Sequence, residues 1–184
     1  MSLGLAVLIV AISSFLLITI AGTFIRTGVP TIASAKAAQQ LVGEYLRKRG
    51  AKRIYELGAG KGDFALRIAQ YNPQAQVEGF ELSLVPFLFS LILRRFMAGG
   101  ARTRFHLSNF HDVDLRQVDA VAMYLMPTPN KKVQPKLLKE MKPGSTVASV
   151  SFSMQGWKPE HVFIAPNISK TRVFIYHMPP TLIG

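Results

Sequence analysis

An acidic residue and three glycines in the first third of the chain have the spacing of a ligand-binding turn. Glu56 is followed by Gly58, Gly60 and Gly62, so that glycine stands at every second position. An apolar-leaning stretch precedes this turn and a helix-like apolar pattern follows it, which places the glycines between a strand and a helix. Glycine there permits a tight turn and a close ligand approach, with the helix N-terminus facing the ligand. The sequence therefore predicts a nucleotide-type cradle.

Polar residues at the ends of the next two predicted strands extend this site. Glu81 follows the glycine turn by about 20 residues, where a carboxylate can accept both hydroxyls of a ribose. At the next strand end, an amide and an aromatic ring suit an adenine. The predicted cofactor-binding residues are Glu56, Gly58, Ala59, Gly60, Gly62, Glu81, Leu82, Ser108, Asn109 and Phe110.

The elements that must position these residues alternate along the chain. Apolar periodicity predicts helices at residues 34–49, 63–71, 84–97 and 130–141, with Ser34 capping the first. Strands are predicted at residues 52–57, 75–81, 102–107, 118–124, 145–152, 161–165 and 171–176. The alternation indicates an α/β fold with a largely parallel sheet covered on both faces, and the paired last strands indicate an antiparallel edge. Such a sheet binds its ligand beyond the carboxyl ends of its strands.

Composition limits the other function classes. The 184 residues suffice for one domain with a proper core and an additional segment. The chain has no cysteine, which excludes disulfides, thiolate metal sites and cysteine nucleophiles, and its four histidines lack the spacing of metal ligands. We therefore expect no metal. The net charge of +12 predicts an acidic partner, either nucleic acid or an anionic membrane surface.

The amino-terminal segment favours the membrane. Residues 1–25 contain no charged side chain, and about 20 apolar residues suffice to span a bilayer. A cleaved signal peptide is the alternative, but the apolar run is longer than a signal core and no basic residue precedes it. All 22 Lys and Arg residues follow, beginning with Arg26, which predicts a domain on the cytoplasmic side, or its equivalent at a mitochondrial inner membrane. We expect an anchor at 1–25, a linker at 26–33 and a catalytic domain at 34–184, with its basic surface on anionic lipid.

The glycine spacing distinguishes two classes of nucleotide cofactor. Dinucleotide-binding turns favour G-x-G-x-x-G, whose third glycine permits close packing around a pyrophosphate. Asp63 occupies the place of that third glycine here. The pattern E-x-G-x-G-x-G resembles instead the first motif of class I S-adenosylmethionine-dependent methyltransferases, which have a Rossmann-like sheet.

A narrower resemblance extends over residues 30–176. It is carried by "PTIASAKAAQQLV", "YELGAGKG", "VEGFELS", "HLSNFHDVDL", "YLMPTPNKKVQPKLLKEMKPGSTVAS" and "SFSMQGWKPEHV". These stretches are similar to the family of lysine methyltransferases acting on the ATP synthase c subunit and the adenine nucleotide translocase, with its prokaryotic relatives. The resemblance implies S-adenosylmethionine as cofactor, a lysine side chain of a membrane protein as acceptor, and a hydrophobic, membrane-associating amino terminus.

The resemblance also implies roles for individual residues. Glu56 and the three glycines would line the methionine and ribose part of the cofactor, and Glu81 would bind the ribose hydroxyls. Asn109 stands where the family has an Asp that contacts the adenine amino group; an amide oxygen can still accept from that amine. The sequence departs from the family at Lys61, where the family has an acidic residue, and at Asp63, where it has an Arg.

Three residues match the substrate side of the family loosely. They are Tyr124 and Pro127 at the fourth predicted strand, and Trp157 after the fifth. Tyr124 has an alternative as an ordinary strand-end aromatic residue. Trp157 is either a wall that faces a methyl-accepting ammonium or a residue that caps the sheet. The helix "SLVPFLFSLILRRF" is apolar almost all round, which indicates either burial or a second membrane contact.

Three functions fit these observations. The first is a membrane-anchored protein-lysine methyltransferase, and the second is a methyltransferase for a lipid or lipophilic small molecule. The third is a membrane-tethered protein that binds the cofactor without catalysis, for which Lys61 and Asn109 are the only indication. A nucleic-acid substrate is disfavoured, because the fourth strand ends in Met126-Pro127-Thr128 and lacks the Asn/Asp-Pro-Pro-aromatic run of amino-group DNA methylases.

Overall fold

The chain alternates strands and helices as expected. The computed structural model describes residues 4–8, 10–15, 36–166 and 170–183. The helices of the domain are α1 (Lys36–Lys48), α2 (Asp63–Tyr71), α3 (Leu84–Phe96) and α4 (Pro127–Glu140). The strands are β1 (Arg53–Leu57), β2 (Gln76–Glu81), β3 (Thr103–Leu107), β4 (Ala120–Met123), β5 (Thr146–Val150), β6 (Trp157–Lys158), β7 (His161–Ile164), β8 (Arg172–His177) and β9 (Thr181–Leu182). Residues 4–8 and 10–15 are also helical.

One seven-stranded sheet, in the order β3-β2-β1-β4-β5-β8-β7, organises the domain. Strands β1 to β5 pair in parallel, whereas β8 is antiparallel to both of its neighbours, β5 and β7. The prediction of a mostly parallel Rossmann-like sheet with an antiparallel edge is therefore confirmed. The strand order reverses between β1 and β4, which is where such sheets bind a ligand.

Alternate residues of each strand supply two hydrophobic cores, one on each face of the sheet. On one face, Ile54 and Val77 belong to a cluster that includes the buried sides of α1 and α2. On the other face, Leu57 and Val121 belong to a cluster with Val133 and the rest of the inner side of α4. The strands are thus buried on both faces, as parallel strands ordinarily are.

The predicted elements correspond to the observed ones within three residues at each end, and α2 has the predicted bounds. Apolar periodicity did not predict the small ribbon of β6 and β9, in which Trp157 pairs with Leu182. It also did not predict the single 3-10 turns at Gly100–Arg102 and Phe110–Asp112. Short elements of this kind contain too few residues to show a period.

The predicted anchor, linker and first helix cap lie wholly or partly outside the described residues. Residues 1–3, 9 and 16–35 are not described, and they include the linker 26–33 and Ser34. Among the residues that are described, no helix combines the length and the apolar composition that a bilayer crossing requires.

Gly62 fixes the approach of the glycine turn to β3 and α3. It is the residue before α2 and adopts a left-handed conformation with φ of 85°. A Cβ atom there would overlap the Phe105 ring and lie 2.8 Å from Cβ of Ser90. Glycine is therefore required at this position for the backbone conformation and for the space.

Replacement of Gly62 by alanine should destabilise the fold by more than the cost of holding an alanine in a left-handed conformation. Gly144 is the matched control, because its φ is 83° and no atom lies within 4 Å of an added Cβ. Both Gly62→Ala and Gly144→Ala should lose about 1–2 kcal/mol from backbone strain. Gly62→Ala should lose about 1–3 kcal/mol more from overpacking. Denaturant unfolding measures the difference, and equal losses would contradict the packing at Gly62.

Candidate active site

Backbone hydrogen bonds hold the glycine turn against the end of β2. The amides of Gly58 and Ala59 both donate to the carbonyl oxygen of Phe80, each at 2.9 Å. The amide of Gly60 donates to Oε2 of Glu81 at 2.8 Å. The turn and the acidic residue that the sequence placed in one site are therefore in direct contact.

Glu81 is fixed by two backbone amides at opposite oxygens of its carboxylate. Its Oε1 accepts from the amide of Ser83 at 2.8 Å, while Oε2 accepts from Gly60. Its side chain is 8% exposed. A carboxylate oxygen accepts more than one hydrogen bond, so both oxygens keep capacity for a ligand hydroxyl. The carboxylate is thus oriented in advance of ligand binding.

Glu56 is a buried carboxylate below the same turn. Its Oε2 accepts from the amide of Ala65 in the first turn of α2, at 2.9 Å. Burial holds the pKa of Glu56 well above its ordinary value, and the nearby Asp63 and Glu81 carboxylates raise it further, whereas the bond from Ala65 lowers it. Gly62 has no side chain to cap α2, so Glu56 provides an acceptor at the helix start from the neighbouring strand.

Asp63, the third carboxylate, is held through a buried glutamine that the sequence analysis did not identify. Gln39 of α1 donates from Nε2 to Oδ2 of Asp63 at 2.8 Å. Oε1 of Gln39 accepts from Nε of Arg67 at 2.9 Å. Gln39 therefore links α1 to the start of α2, and its only signal in the sequence is its place in the family-like stretch "PTIASAKAAQQLV".

The end of β3 lies beside the end of β2. The amide of Ser108 donates to the backbone oxygen of Glu81 at 2.9 Å. Oδ1 of Asn109 accepts from the amide of His111 at 3.0 Å, which caps the 3-10 turn of Phe110–Asp112. Phe110 is half-buried and Leu82 is 48% exposed, so apolar surface is available beside Glu81. The ends of β2 and β3, where the sequence predicts an adenine site, are therefore adjacent.

The end of β4 lies beside the glycine turn. A Cβ atom added to Gly58 would be 2.7 Å from Cδ2 of Leu125, which follows β4. The half-buried ring of Tyr124 stacks on Phe152, with centroids 6.3 Å apart. Phe152 was not identified from the sequence. It follows Ser151, whose left-handed φ of 67° turns the chain after β5.

Asn130 holds the backbone of the β5 loop from the first turn of α4. Its Nδ2 lies 3.4 Å from the carbonyl oxygen of Phe152 and 3.3 Å from Oγ of Ser149. The hydroxyl of Ser149 donates to the same carbonyl at 2.6 Å. The position of the Phe152 ring is therefore set by buried polar groups behind it.

Pro127 and Trp157 lie in structural positions. Pro127 is exposed and is the first residue of α4, where proline needs no amide partner. Trp157 is 3% exposed and its ring packs edge-on against Tyr176, with centroids 5.6 Å apart. The ring has no exposed face for a substrate, so packing is the role of Trp157 in this structure.

The site fits a nucleoside ligand that carries a positive charge. A Cβ on Gly60 would meet no atom within 4 Å, which leaves open space above the turn. Glu81 offers oriented acceptors for ribose hydroxyls. Asp63 and Glu81 interact electrostatically with Glu56 across the turn, so these acidic surroundings favour a cation. No cluster of three metal-ligating side chains occurs among the described residues.

Comparison with known proteins agrees with this chemistry. Residues 56–161 match the family model of the ANTKMT methyltransferase domain. The chain belongs to this methyltransferase family. It is therefore an S-adenosylmethionine-dependent methyltransferase, and the residues around the glycine turn are those that would hold the cofactor.

Two curated proteins and one solved structure are similar to this methyltransferase. A protein-lysine N-methyltransferase of Saccharolobus islandicus is 30% identical over 109 residues, 59% of this chain and 68% of the relative. The adenine nucleotide translocase lysine N-methyltransferase of Mus musculus is 29% identical over 137 residues, 73% of this chain and 58% of the relative. An RNA methyltransferase of Salinibacter ruber, crystallised with S-adenosyl-L-homocysteine, has the same fold, with a TM-score of 0.71 at 21% identity over 83% of this chain and 97% of that one.

Loss of the Glu81 carboxylate should weaken cofactor binding. Glu81→Ala removes oriented acceptors worth about 1.5–3 kcal/mol each, so the affinity for S-adenosylhomocysteine should fall at least tenfold. Glu78 of the same strand is the control, because its side chain bonds to His106 and lies on the opposite face of the sheet. Calorimetry should show unchanged affinity for Glu78→Ala. A folded Glu81→Ala protein with unchanged affinity would contradict the role of Glu81.

Glu56 should reduce stability at neutral and higher pH. Because its folded-state pKa lies above the unfolded value of about 4.3, stability falls as the pH rises above that value. Glu56→Gln keeps an acceptor for Ala65 and removes the buried charge. At pH 8 the variant should gain at least about 1 kcal/mol, which raises the melting temperature by about 2–4 °C.

The gain should shrink as the pH approaches 4.5, because Glu56 is then increasingly protonated in both the folded and the unfolded state of the unaltered chain. Glu44→Gln on the surface of α1 is the control for the same exchange at an exposed site. If the Glu56→Gln protein melted at a lower temperature than the unaltered chain at pH 8, this account would be contradicted.

Proposed function

We propose that this methyltransferase is a protein-lysine N-methyltransferase. The observation that carries the proposal is its membership of a family in which the two relatives described above are named as lysine N-methyltransferases. The family match begins at Glu56 and includes the glycine turn and the following strands, so the resemblance includes the residues that would hold the cofactor. The acceptor is inferred from those names and from the chemistry of the site.

The chain has two tasks in such a reaction. When bound, S-adenosylmethionine supplies a methyl group already activated by its positive sulfur, so the protein must orient and desolvate the acceptor amine. Keeping a lysine with an ordinary pKa near 10.4 neutral at pH 7 costs roughly 4.6 kcal/mol. Desolvation against Tyr124 and Phe152 lowers the pKa of an entering amine and reduces that cost. A dedicated base is not required.

The acceptor in this proposal is a membrane protein, and residues 1–25 anchor the enzyme beside it. These residues are uncharged, and every Lys and Arg follows them, which favours a domain on the cytoplasmic side. The eight residues from 26 to 33 span at most about 3.3–3.6 Å each. They would therefore keep the domain within roughly 30 Å of the bilayer, close to a lysine just outside a membrane span.

A lipid or lipophilic acceptor is the second candidate. It is favoured by the exposed apolar side of α3, which begins three residues after Glu81. Such a surface would suit an acceptor that reaches the site from the bilayer.

The decisive experiment separates the acceptor classes. Native membranes and the soluble fraction are incubated with the full chain and radiolabelled S-adenosylmethionine, and the label is then followed into protein, lipid and nucleic acid. We expect label in membrane protein, recovered as methyllysine after hydrolysis, and retention of the enzyme in the membrane after alkaline extraction. Glu81→Ala is the matched inactive control.

Each other outcome rejects one part of the proposal. Label in lipid selects the second candidate, and label in nucleic acid rejects both. Label in soluble proteins alone, or extraction of the enzyme by alkali, rejects the membrane acceptor or the anchor while leaving lysine methylation intact.

A further inference from the structure

Among the residues that the structure describes, helix α3 is covered on one side only. Of its thirteen residues, Val85 and Ser90 are buried, and Phe87 and Leu93 pack partly against the core. A helix at the surface of a soluble domain ordinarily carries polar residues on its other side. Here the other side is apolar.

The outward side of α3 forms a continuous apolar surface. At 100° per residue, its exposed positions cover an arc of about 160°. The apolar residues of this arc and their exposed fractions are Leu84 40%, Leu88 47%, Phe89 56%, Leu91 37%, Ile92 58% and Phe96 83%. Arg95 is the remaining exposed residue in the arc.

Helix α4, on the opposite face of the sheet, has an outward side of the ordinary kind. Lys131, Lys132 and Lys139 are exposed there, together with Leu138 at 49%. The apolar exposure is therefore a property of α3 and not of helices in this fold generally. An exposed apolar surface of this extent marks an interaction site.

Charge identifies the partner. Helix α3 has no acidic residue, and Arg94 and Arg95 stand in its last turn. Nε of Arg94 donates to the carbonyl oxygen of Gly100 at 2.9 Å, so this guanidinium is held at the helix end. A second copy of a chain with a net charge of +12 is repelled, whereas anionic lipid headgroups are attracted.

We propose that the outward side of α3 lies in the interface of an anionic bilayer, with its Leu, Ile and Phe side chains at the headgroup–acyl boundary. Arg95 then interacts with lipid phosphates, and its aliphatic stem covers the apolar surface beside it. This contact is independent of the acceptor and of residues 1–25. It gives the domain a fixed orientation relative to the bilayer.

The orientation has a consequence for the site. The amide of Ser83, directly before α3, donates to Glu81. A membrane contact along α3 therefore places the β2 end of the cofactor site close to the headgroups. Acceptors at the membrane surface gain access over acceptors in solution.

Site-specific fluorescence tests the contact in the full chain. The chain has no cysteine, so a single introduced cysteine can carry an environment-sensitive fluorophore without background labelling. Leu88→Cys reports on α3 and Leu138→Cys on α4, two leucines of nearly equal exposure on opposite faces. The vesicles are phosphatidylcholine alone or mixed with phosphatidylglycerol, each with or without bromine on the acyl chains near the headgroup.

With phosphatidylglycerol present, we expect the Leu88→Cys label to shift to shorter wavelength and to be quenched by brominated lipid. The label at Leu138→Cys should keep the emission wavelength that it has in water without vesicles. Arg95→Gln in the Leu88→Cys chain should reduce the quenching toward the level in phosphatidylcholine alone. Binding of S-adenosylhomocysteine by each labelled chain confirms that it is folded.

Three results would overturn the proposal. The first is water-like emission from the Leu88→Cys label in vesicle-bound protein, which would mean that residues outside α3 alone hold the chain on the membrane. The second is equal quenching at both labelled positions. The third is a wavelength shift at Leu88→Cys that depends on protein concentration without vesicles, which would assign the surface to a second protein molecule. Methylation is not measured, so failure here is distinguishable from failure of the proposed function.

Discussion

The contact between the glycine turn and the end of β2 is the constraint on which the site depends. Gly58 and Ala59 donate to one carbonyl of β2, and Gly60 donates to Glu81 itself. Because β1 and β2 pair in parallel, both ends reach the same edge of the sheet, and the turn must fold back over it. These bonds need amides that point toward β2, which the left-handed glycines allow. The Glu81 carboxylate is consequently held by the fold itself.

The same contact brings three acidic side chains together around the turn. Glu56 is fully buried with a raised pKa, and Asp63 and Glu81 contribute to that shift. The bond from Ala65 compensates only part of the cost of burying a carboxylate. The ligand-free protein is therefore less stable than its hydrophobic core would allow. A ligand that carries positive charge would offset part of that cost on binding.

Local sequence was sufficient for the sheet and for the positions of the predicted cofactor residues at neighbouring strand ends. Glycine spacing and strand ends are set by neighbouring residues, so Glu56, Glu81 and Asn109 could be assigned to the ends of adjacent strands from the sequence. Trp157 could not, because a tryptophan suits either a substrate wall or a core, and only packing on Tyr176 decides. Gln39 and Phe152 were missed for the same reason, since their roles depend on residues more than twenty positions away.

The charge of the chain is arranged on two scales. Lys and Arg number 22 and Asp and Glu only 10, yet three of those ten carboxylates, Glu56, Asp63 and Glu81, surround the glycine turn. The outer surface therefore attracts anions, while the site attracts a cationic ligand. Lys61 is exposed on the turn itself. A basic surface thus surrounds an acidic site, and the two attract partners of opposite charge.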